Sequence, residues 1–293
     1  MVAPGGSDST VLVARASDPQ PVREAADVVV ADDGEQAAVE GAIATNPQAA
    51  TALALVLRDV GDRSIADGLL VESATYSTLQ AGPEAQRWLA ARRRTSGVPA
   101  PASVRSEGRE VVRVARTGDG LRLTLDRPEV HNAFSAAVRE GLLDGLAVAA
   151  AVPELQVVID GAGPSFCSGG DLTEFGTASD PATAHLVRVT RSVGRALASM
   201  ADRVEVRLHG ACVGAGVELP AFAGRVVATP DTRFRLPEVS MGLVPGAGGT
   251  ISIPKRIGRQ RTMWLALTGA WVDATTALAW GLVDELAEEP IEG

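Results

Sequence analysis

Two glycine-rich segments contain the residues of this sequence that could do chemistry. They are VVIDGAGPSFCSGGDL (157–172) and VRLHGACVGAGVELP (206–220), and each begins with a short apolar stretch typical of a strand. Ligand sites in α/β proteins gather at loops beyond strand ends, where small residues let a ligand approach main-chain N–H groups. Neither segment has a lysine or a nucleotide-binding signature, and Glu218 would repel a phosphate. Two N–H donors without a neighbouring cation are suited to one developing oxyanion, such as an enolate or thioester oxygen.

Simpler interpretations of the same residues stay open at this point. Glycine-rich loops often do no more than form tight turns. Glu218 could be an acid in the first turn of a helix that begins just after Gly216, where it would interact with the helix dipole. Glu238, twenty residues further along the chain, could be a surface acid in a Pro-Glu turn.

The cysteines and histidines allow a second kind of chemistry. Cys167 and Cys212 lie inside the two glycine-rich segments, with His209 and His131 nearby in sequence, so a Cys–His nucleophile pair is conceivable. Cysteine is also a common small buried residue, and this interpretation is favoured. The three histidines, of which His185 is the third, show no clustered ligand spacing, so we expect no metal site.

Composition limits the class of protein. A chain of 293 residues usually forms more than one compact core, and 46% hydrophobic with 22% charged residues is typical of a globular protein. The net charge of −9 argues against nucleic acid or an anionic membrane as a partner. Two cysteines, no secretion signal and no apolar run of about 18 residues predict a cytoplasmic protein.

The elements that must position these residues fall in the last of three segments of the chain. We expect a mainly helical extension over 1–94, a Pro/Ser/Gly-rich linker over 95–109, and alternating strands and helices over 110–293. In the third part, 111–117 and 121–127 form a hairpin around a Gly-Asp-Gly turn. We also expect five strands, at 11–14, 28–31, 156–159, 204–208 and 225–228. Helices are expected over 35–94, with breaks at Asn46-Pro47, Gly61-Asp62 and Gly82-Pro83, and over 135–150 and 182–200. The fold class is therefore α/β.

Four motifs together resemble the crotonase superfamily, the enoyl-CoA hydratase/isomerase group. They are SFCSGGDL, GACVGAGVELP, RPEVHNAF before them and FRLPEVSMGLVPGAGGT after them. Their order and the 20-residue step from Glu218 to Glu238 also match that family. The resemblance covers about residues 110–285 and implies a crotonase-like (ββα)n spiral core with a mostly helical N-terminal extension.

The resemblance implies a role for individual residues. In the family, two N–H groups polarise the carbonyl of an acyl-CoA thioester, and the matching positions are Gly170 and Ala215. Hydratases also use two glutamates to add water, and these match Glu218 and Glu238. Family members usually have glycine where this chain has Ala215, and alanine keeps the N–H. The matching substrate-binding positions are Phe166, Cys167, Ser168, Gly169, Asp171, Gly214 and Ala133.

Related subfamilies separate the possible activities. Dienoyl-CoA isomerases and aryl-CoA dehalogenases place an acid eight residues after Glu238, where this chain has Gly246, so these two reactions are disfavoured. The resemblance implies an enoyl-CoA hydratase that needs no cofactor, because coenzyme A is part of the substrate. An enoyl-CoA isomerase, a cofactor-independent acyl-CoA dioxygenase and a non-catalytic acyl-CoA-binding protein are the alternatives.

Partners and assembly follow from the same resemblance. An acyl-CoA is the expected partner, with a homo-oligomer, trimer or hexamer, as the expected assembly. Family members usually continue past the point that corresponds to Gly293 with helices that cover the site and build trimers. We expect the helical segment 35–94 to take one of these two roles here.

Overall fold

Three β-sheets and the helices around them form the part of the chain that the computed structural model describes, residues 10–96, 110–118, 120–178 and 180–287. The strands are β1 (Val13–Arg15), β2 (Val28–Val30), β3 (Val112–Thr117), β4 (Gly120–Leu125), β5 (Gln156–Gly161), β6 (Val204–Leu208), β7 (Ala211–Val213), β8 (Arg225–Ala228), β9 (Arg233–Arg235), β10 (Val272–Asp273) and β11 (Glu285–Leu286). The helices are α1 (Gln20–Ala25), α2 (Asp33–Thr45), α3 (Pro47–Arg58), α4 (Ile65–Ala81), α5 (Pro83–Ser96), α6 (Ala136–Ala151), α7 (Pro181–Thr190), α8 (Val193–Ala198), α9 (Ala215–Glu218), α10 (Gly249–Ile257), α11 (Arg259–Thr268) and α12 (Ala274–Trp280).

The largest sheet has six strands in the order β11-β8-β6-β5-β4-β3. Strands β3 and β4 form the antiparallel hairpin expected from the sequence, and the other neighbours are parallel. Crossover helices cover parallel strands, which explains consecutive buried apolar residues such as Val226, Val227 and Ala228 of β8. Parallel order also brings the carboxyl ends of β5 and β6, and the loops that follow them, to one edge of the sheet.

A second sheet, of three strands, holds the second glycine-rich loop. Its order is β10-β9-β7, with β7 parallel to β9 and β10 antiparallel to β9. Cys212 of β7 pairs with Phe234 of β9, and both side chains are fully buried. The loop that begins at Gly214 therefore leaves a rigid strand, and so does the segment that leads from β9 to Glu238.

The N-terminal segment shares one apolar core with the rest of the described chain. Buried side chains of α3 and α4 belong to the same cluster as those of the six-stranded sheet. Helix α4 approaches α10 so closely that an added Cβ at Gly68 would lie 2.4 Å from Cγ1 of Ile251. The expected breaks at Asn46-Pro47 and Gly82-Pro83 separate α2 from α3 and α4 from α5. Helix α5 extends to Ser96, and residues 97–109 of the expected linker lie outside the described residues.

Two helix predictions were wrong in detail. The single helix expected over 182–200 is two helices, α7 and α8, because the hydroxyl of Ser192 accepts the N–H of Arg195 and starts a new helix. The helix expected to begin just after Gly216 begins at Ala215 and is one turn long, since a 3-10 turn starts at Pro220. Its dipole therefore contributes less at the second glycine-rich loop than the sequence suggested.

The described ranges contain no helix that is both long and apolar enough to cross a membrane. Within the same ranges, no group of three or more histidine, cysteine, aspartate or glutamate side chains could hold a metal ion.

Candidate active site

The two glycine-rich loops lie side by side. The N–H of Val213 donates to the carbonyl of Cys167 at 3.0 Å, and Cys167 forms a parallel bridge with Cys212. Gly214 has a φ of +50°, which favours glycine, and a Cβ there would lie 3.7 Å from the Cα of Gly169. The structure therefore brings together the two loops that carry Gly170 and Ala215.

Gly170 and Ala215 each present a main-chain N–H in this region. For neither N–H does the described part of the chain supply an acceptor. Ala215 is the first residue of α9, where a helix leaves its N–H groups without internal partners. Gly170 is held beside Phe134, because the N–H of Phe134 donates to Gly169 and the N–H of Asp171 donates to Phe134. The ring of Phe175 lies 2.9 Å from where a Cβ of Gly170 would be.

The residues expected to bind the rest of the substrate form one hydrogen-bonded wall. Phe166 and Cys167 are buried, and Ser168 donates from its N–H to the carbonyl of His131 at 2.9 Å. Asn132 is fully buried with a φ of +53°, and its amide donates to the carbonyls of Ala162 and Ser165. A buried non-glycine residue with positive φ stays in place only because its surroundings fix it. Ala133 follows it directly in the same wall.

Asp171 braces the first loop. Its Oδ1 accepts the N–H and the hydroxyl of Thr173, and its Oδ2 accepts Arg127 at 3.0 Å. Burial alone would raise the pKa of Asp171, but the bonds from Thr173 and Arg127 hold it below the usual value. Asp126, the neighbour of Arg127 in the chain, meets Arg113 at 3.3 Å. The contact between Arg127 and Asp171 is that of a structural ion pair, in which each side chain is 12% exposed.

Glu218 is buried at the end of α9. Its Oε2 accepts the N–H groups of Ala247 and Gly249 at 2.7 and 2.9 Å, at the N-terminus of α10. Burial nevertheless raises the pKa of Glu218 to about 7, because two neutral donors replace full hydration of the carboxylate. Near neutral pH, both the protonated and the ionised form of Glu218 are therefore populated.

Glu238 begins a 3-10 turn that follows β9. Its Oε1 lies 2.5 Å from where a Cβ of Gly214 would be, so any larger residue at 214 would displace the carboxyl. Its Oε2 is buried and has no hydrogen-bond partner among the described residues. Burial, and then repulsion from Glu218, hold the pKa of Glu238 well above its usual range. Asn46 of the N-terminal segment fixes this turn by donating to the carbonyl of Val239.

A third carboxyl, which the sequence analysis missed, lies at the same place. Glu72 of α4 is 2% exposed, and its Oε1 accepts the N–H of Gly248 at 2.7 Å. Its Oε2 accepts both the N–H and the hydroxyl of Thr250 at 2.8 Å. Burial and the nearby Glu218 raise the pKa of Glu72 to about 8. The only sequence signal is an acid on an otherwise apolar helix segment, LLVESATY, and this does not reveal its partner.

Helix α4 also supplies an aromatic ring beside these carboxyls. Burial raises the pKa of Tyr76, and Glu238, Glu218 and Glu72 raise it further. The guanidinium of Arg188, from α7, lies 4.4 Å from the centre of the Tyr76 ring and donates to Ser73 and Ser77 of α4. These contacts pack α4 against α7 beside the carboxyl groups.

A small cavity of about 80 Å³ lies between these elements. It has room for roughly two or three water molecules. Its lining includes Glu72, Phe134, Arg188, Leu219, Gly246 and Ala247.

The cysteines do not have the surroundings of nucleophiles. Cys167 and Cys212 are buried, and burial raises the pKa of Cys167 to about 12. The rings of His131 and His209 bond elsewhere, to the hydroxyl of Ser165 and the carbonyl of Gly163, both at 2.9 Å. The interpretation of both cysteines as small buried residues is the one that fits.

Comparison with known proteins gives consistent relatives. A model of the enoyl-CoA hydratase/isomerase family matches residues 120–290. An enoyl-CoA isomerase/hydratase of Mycosarcoma maydis is 32% identical over 176 residues, which are 56% of this chain and 64% of that protein. A trans-2-decenoyl-[acyl-carrier-protein] isomerase of Streptococcus mutans is 34% identical over 57% of this chain and 65% of its own. The chain thus spans slightly less than two thirds of these two relatives.

Solved structures give the same result for the fold. An enoyl-CoA hydratase of Thermoplasma volcanium superposes with a TM-score of 0.58 and 32% identity, over 63% of this chain and 74% of its own. An enoyl-CoA hydratase of Mycobacterium smegmatis superposes with a TM-score of 0.56 and 29% identity, over 61% of this chain and 70% of its own. The crotonase fold inferred from the four motifs is confirmed, and the chain belongs to the enoyl-CoA hydratase/isomerase family of the crotonase superfamily.

Proposed function

We propose that this protein is an enoyl-CoA hydratase, which adds water across the 2,3 double bond of an acyl-CoA thioester. One observation carries the proposal: the buried Glu218 and the half-buried Glu238, whose Oε2 is buried, lie next to the paired loops that present the N–H groups of Gly170 and Ala215. Acids held beside two unpaired N–H donors are what hydration of a conjugated thioester requires.

The N–H groups would act on the thioester oxygen. Attack of water at C3 moves the double-bond electrons through C2 toward the carbonyl, and the oxygen gains negative charge as an enolate forms. Donors from Gly170 and Ala215 stabilise that charge where it develops, and Phe175 would keep water away from Gly170. The reaction needs only these groups, a water molecule and two proton transfers, so we propose no cofactor.

The two glutamates would divide the proton transfers. Glu218 accepts two N–H groups, which favour its carboxylate, and is the group we assign as the base that takes the proton of the attacking water. Glu238 has a buried oxygen without a partner among the described residues and a pKa held well above its usual range, and both favour the neutral acid, so Glu238 is the group we assign to deliver a proton to C2. After one turnover Glu218 holds a proton and Glu238 has lost one, so exchange with solvent or between them restores the site.

An enoyl-CoA isomerase is the second candidate, because one of the relatives is named as a trans-2-decenoyl-[acyl-carrier-protein] isomerase. Isomerisation moves a proton from C4 to C2 or the reverse, and one glutamate could carry it. Retention of both Glu218 and Glu238 favours hydration over this alternative.

The decisive experiment is incubation of the purified chain with a series of 2-enoyl-CoA and 3-enoyl-CoA thioesters of increasing acyl length, with and without oxygen. A 3-hydroxyacyl-CoA product that contains ¹⁸O from labelled water supports hydration. Interconversion of 2- and 3-enoyl thioesters without ¹⁸O uptake would select the isomerase instead. Oxygen consumption would select the dioxygenase, and tight binding without turnover would select the non-catalytic acyl-CoA-binding protein. Sedimentation of the same sample tests the expected trimer or hexamer.

A further inference from the structure

Four consecutive amides at the start of α10 are shared alternately between two buried carboxyl groups. The N–H groups of residues 247 and 249 donate to Glu218, and those of residues 248 and 250 donate to Glu72. Because neighbouring amides in a chain lie only a few ångströms apart, the two carboxyl groups are held side by side. Residue 72 lies outside the segment 120–290 that matches the family.

The charges around this pair do not neutralise it. Within the described ranges, no lysine or arginine nitrogen lies within 4.0 Å of either carboxyl group. The other titratable groups that face the pair are Glu238 from the turn after β9, Tyr76 from α4, Arg188 from α7 and Cys167 from the first loop. Arg139 and Arg191 line the same cavity, and both are paired with Glu140. Two like charges in this setting repel each other strongly.

A purely structural role for Glu72 is the competing explanation. A buried carboxyl that accepts helix N-terminal amides fastens α4 to α10, and the chain contains a second example of that arrangement. Glu84 is 5% exposed and accepts the N–H groups of Gln48 and Ala49 at the start of α3. Glu84 therefore provides a matched control, because it makes the same kind of contact without a neighbouring carboxyl on the same amides.

We propose that Glu72 is a positioning residue, contributed by the N-terminal helical segment, that sets the protonation state of Glu218 through the amides that the two side chains share. The proposal rests on the proposed function only in taking Glu218 as the base. Glu218 has the lower pKa of the two, about 7 against about 8 for Glu72, so the two titrations overlap and a fraction of the Glu72 side chains is already charged while Glu218 loses its proton. Glu72 thereby keeps Glu218 a stronger base than its hydrogen bonds alone would allow.

The direction of the expected change follows from this repulsion. In Glu72→Gln the partial neighbouring charge is absent, so the midpoint of the Glu218 titration falls, by about half a pH unit. Thr250→Val keeps the carboxyl of Glu72 but removes the hydroxyl that donates to it. Loss of this hydrogen bond favours the neutral form of Glu72, so the midpoint of the Glu218 titration also falls, by a smaller amount. Glu72→Asp keeps the charge and stays closer to the wild type.

The test measures the titration of Glu218 in the full chain without any substrate. Proteins with ¹³C-labelled glutamate side chains are titrated by NMR, and Glu218→Gln identifies the resonance of Glu218. A midpoint that falls in Glu72→Gln and in Thr250→Val, while Glu84→Gln keeps the wild-type midpoint, supports the proposal. An unchanged midpoint in either of the first two variants overturns it. An equal shift in Glu84→Gln also overturns it, since general loosening would then be the cause.

The same variants separate this inference from the proposed function. If the wild type hydrates an enoyl thioester, the acidic limb of its kcat/KM profile should move to lower pH in Glu72→Gln by the shift seen in the titration. If no thioester reacts but the titration shifts as expected, the proposed function fails and the pairing of Glu72 with Glu218 stands.

Discussion

The ring of Tyr76 occupies the space that a side chain at Gly246 would need. A Cβ built on Gly246 would lie 2.4 Å from Cδ2 and 2.6 Å from Cε2 of Tyr76. Position 246 is the one at which the related dienoyl-CoA isomerases and aryl-CoA dehalogenases are expected to carry an acid. In this chain, the ring of Tyr76 from helix α4 fills that space. An acid at position 246 would therefore collide with α4 as it is packed here.

Substitution of this glycine should destabilise the protein. Gly246→Ala forces the ring of Tyr76 to move, and we expect a loss of about 1–3 kcal/mol in the free energy of unfolding, measured in urea. Tyr76→Ala combined with Gly246→Ala should cost less than the sum of the two single changes, because the clash is absent. Gly41→Ala is the matched control: nothing lies within 4 Å of its Cβ position inside α2, so it should gain up to about 1 kcal/mol. Additive losses at 76 and 246 would contradict the close packing.

Removal of either proposed acid–base group should slow turnover. Glu218→Gln and Glu238→Gln are each expected to lower kcat by about 10²–10⁴-fold, measured with the best enoyl-CoA of the series. Glu238→Gln should leave the unfolding temperature unchanged or raise it, because the buried Oε2 has no partner to lose among the described residues. Unchanged turnover in both variants would rule out the assignment.

The N–H of Ala215 can be removed with little effect on the fold. Ala215 is the first residue of α9, a position where proline is tolerated because its N–H has no helical partner. Ala215→Pro should therefore remain folded and lose about 10²–10³-fold in kcat. Ala215→Gly keeps the N–H and should stay within a few-fold of the wild type. Similar rates for the proline and glycine variants would show that this N–H does not contribute.

Stability should fall as pH rises through neutrality. The folded-state pKa values of Glu72 and Glu218, about 8 and 7, exceed the unfolded value of 4.5, so the folded state holds more protons. The stabilisation is complete below about pH 4.5 and is lost as pH rises through 7 to 8. Urea unfolding should show a decrease of roughly a few kcal/mol between pH 5 and 8. The decrease should be smaller in Glu72→Gln, and a rise in stability over this range would contradict the raised pKa values.

Local sequence patterns predicted much of the fold. The hairpin β3–β4, helix α6 and the Asn-Pro and Gly-Pro breaks of the N-terminal helices all follow from residues within a few positions of one another. The break between α7 and α8 was missed because a serine inside an apolar helical pattern can either continue a helix or cap a new one. Local propensity does not distinguish these outcomes.

The sequence by itself determined the family, the two glycine-rich loops and the positions of Glu218 and Glu238, because these lie in contiguous motifs whose residue types carry the information. Only the tertiary structure decided that Glu72 joins them, since its partner amides lie 176 and 178 residues further along the chain. It likewise decided that Tyr76 lies against Gly246 and that Glu238 has a buried oxygen without a partner among the described residues. The sequence of α4 shows which of its faces is apolar. Which residues that face contacts depends on how helices that are distant in the chain pack together.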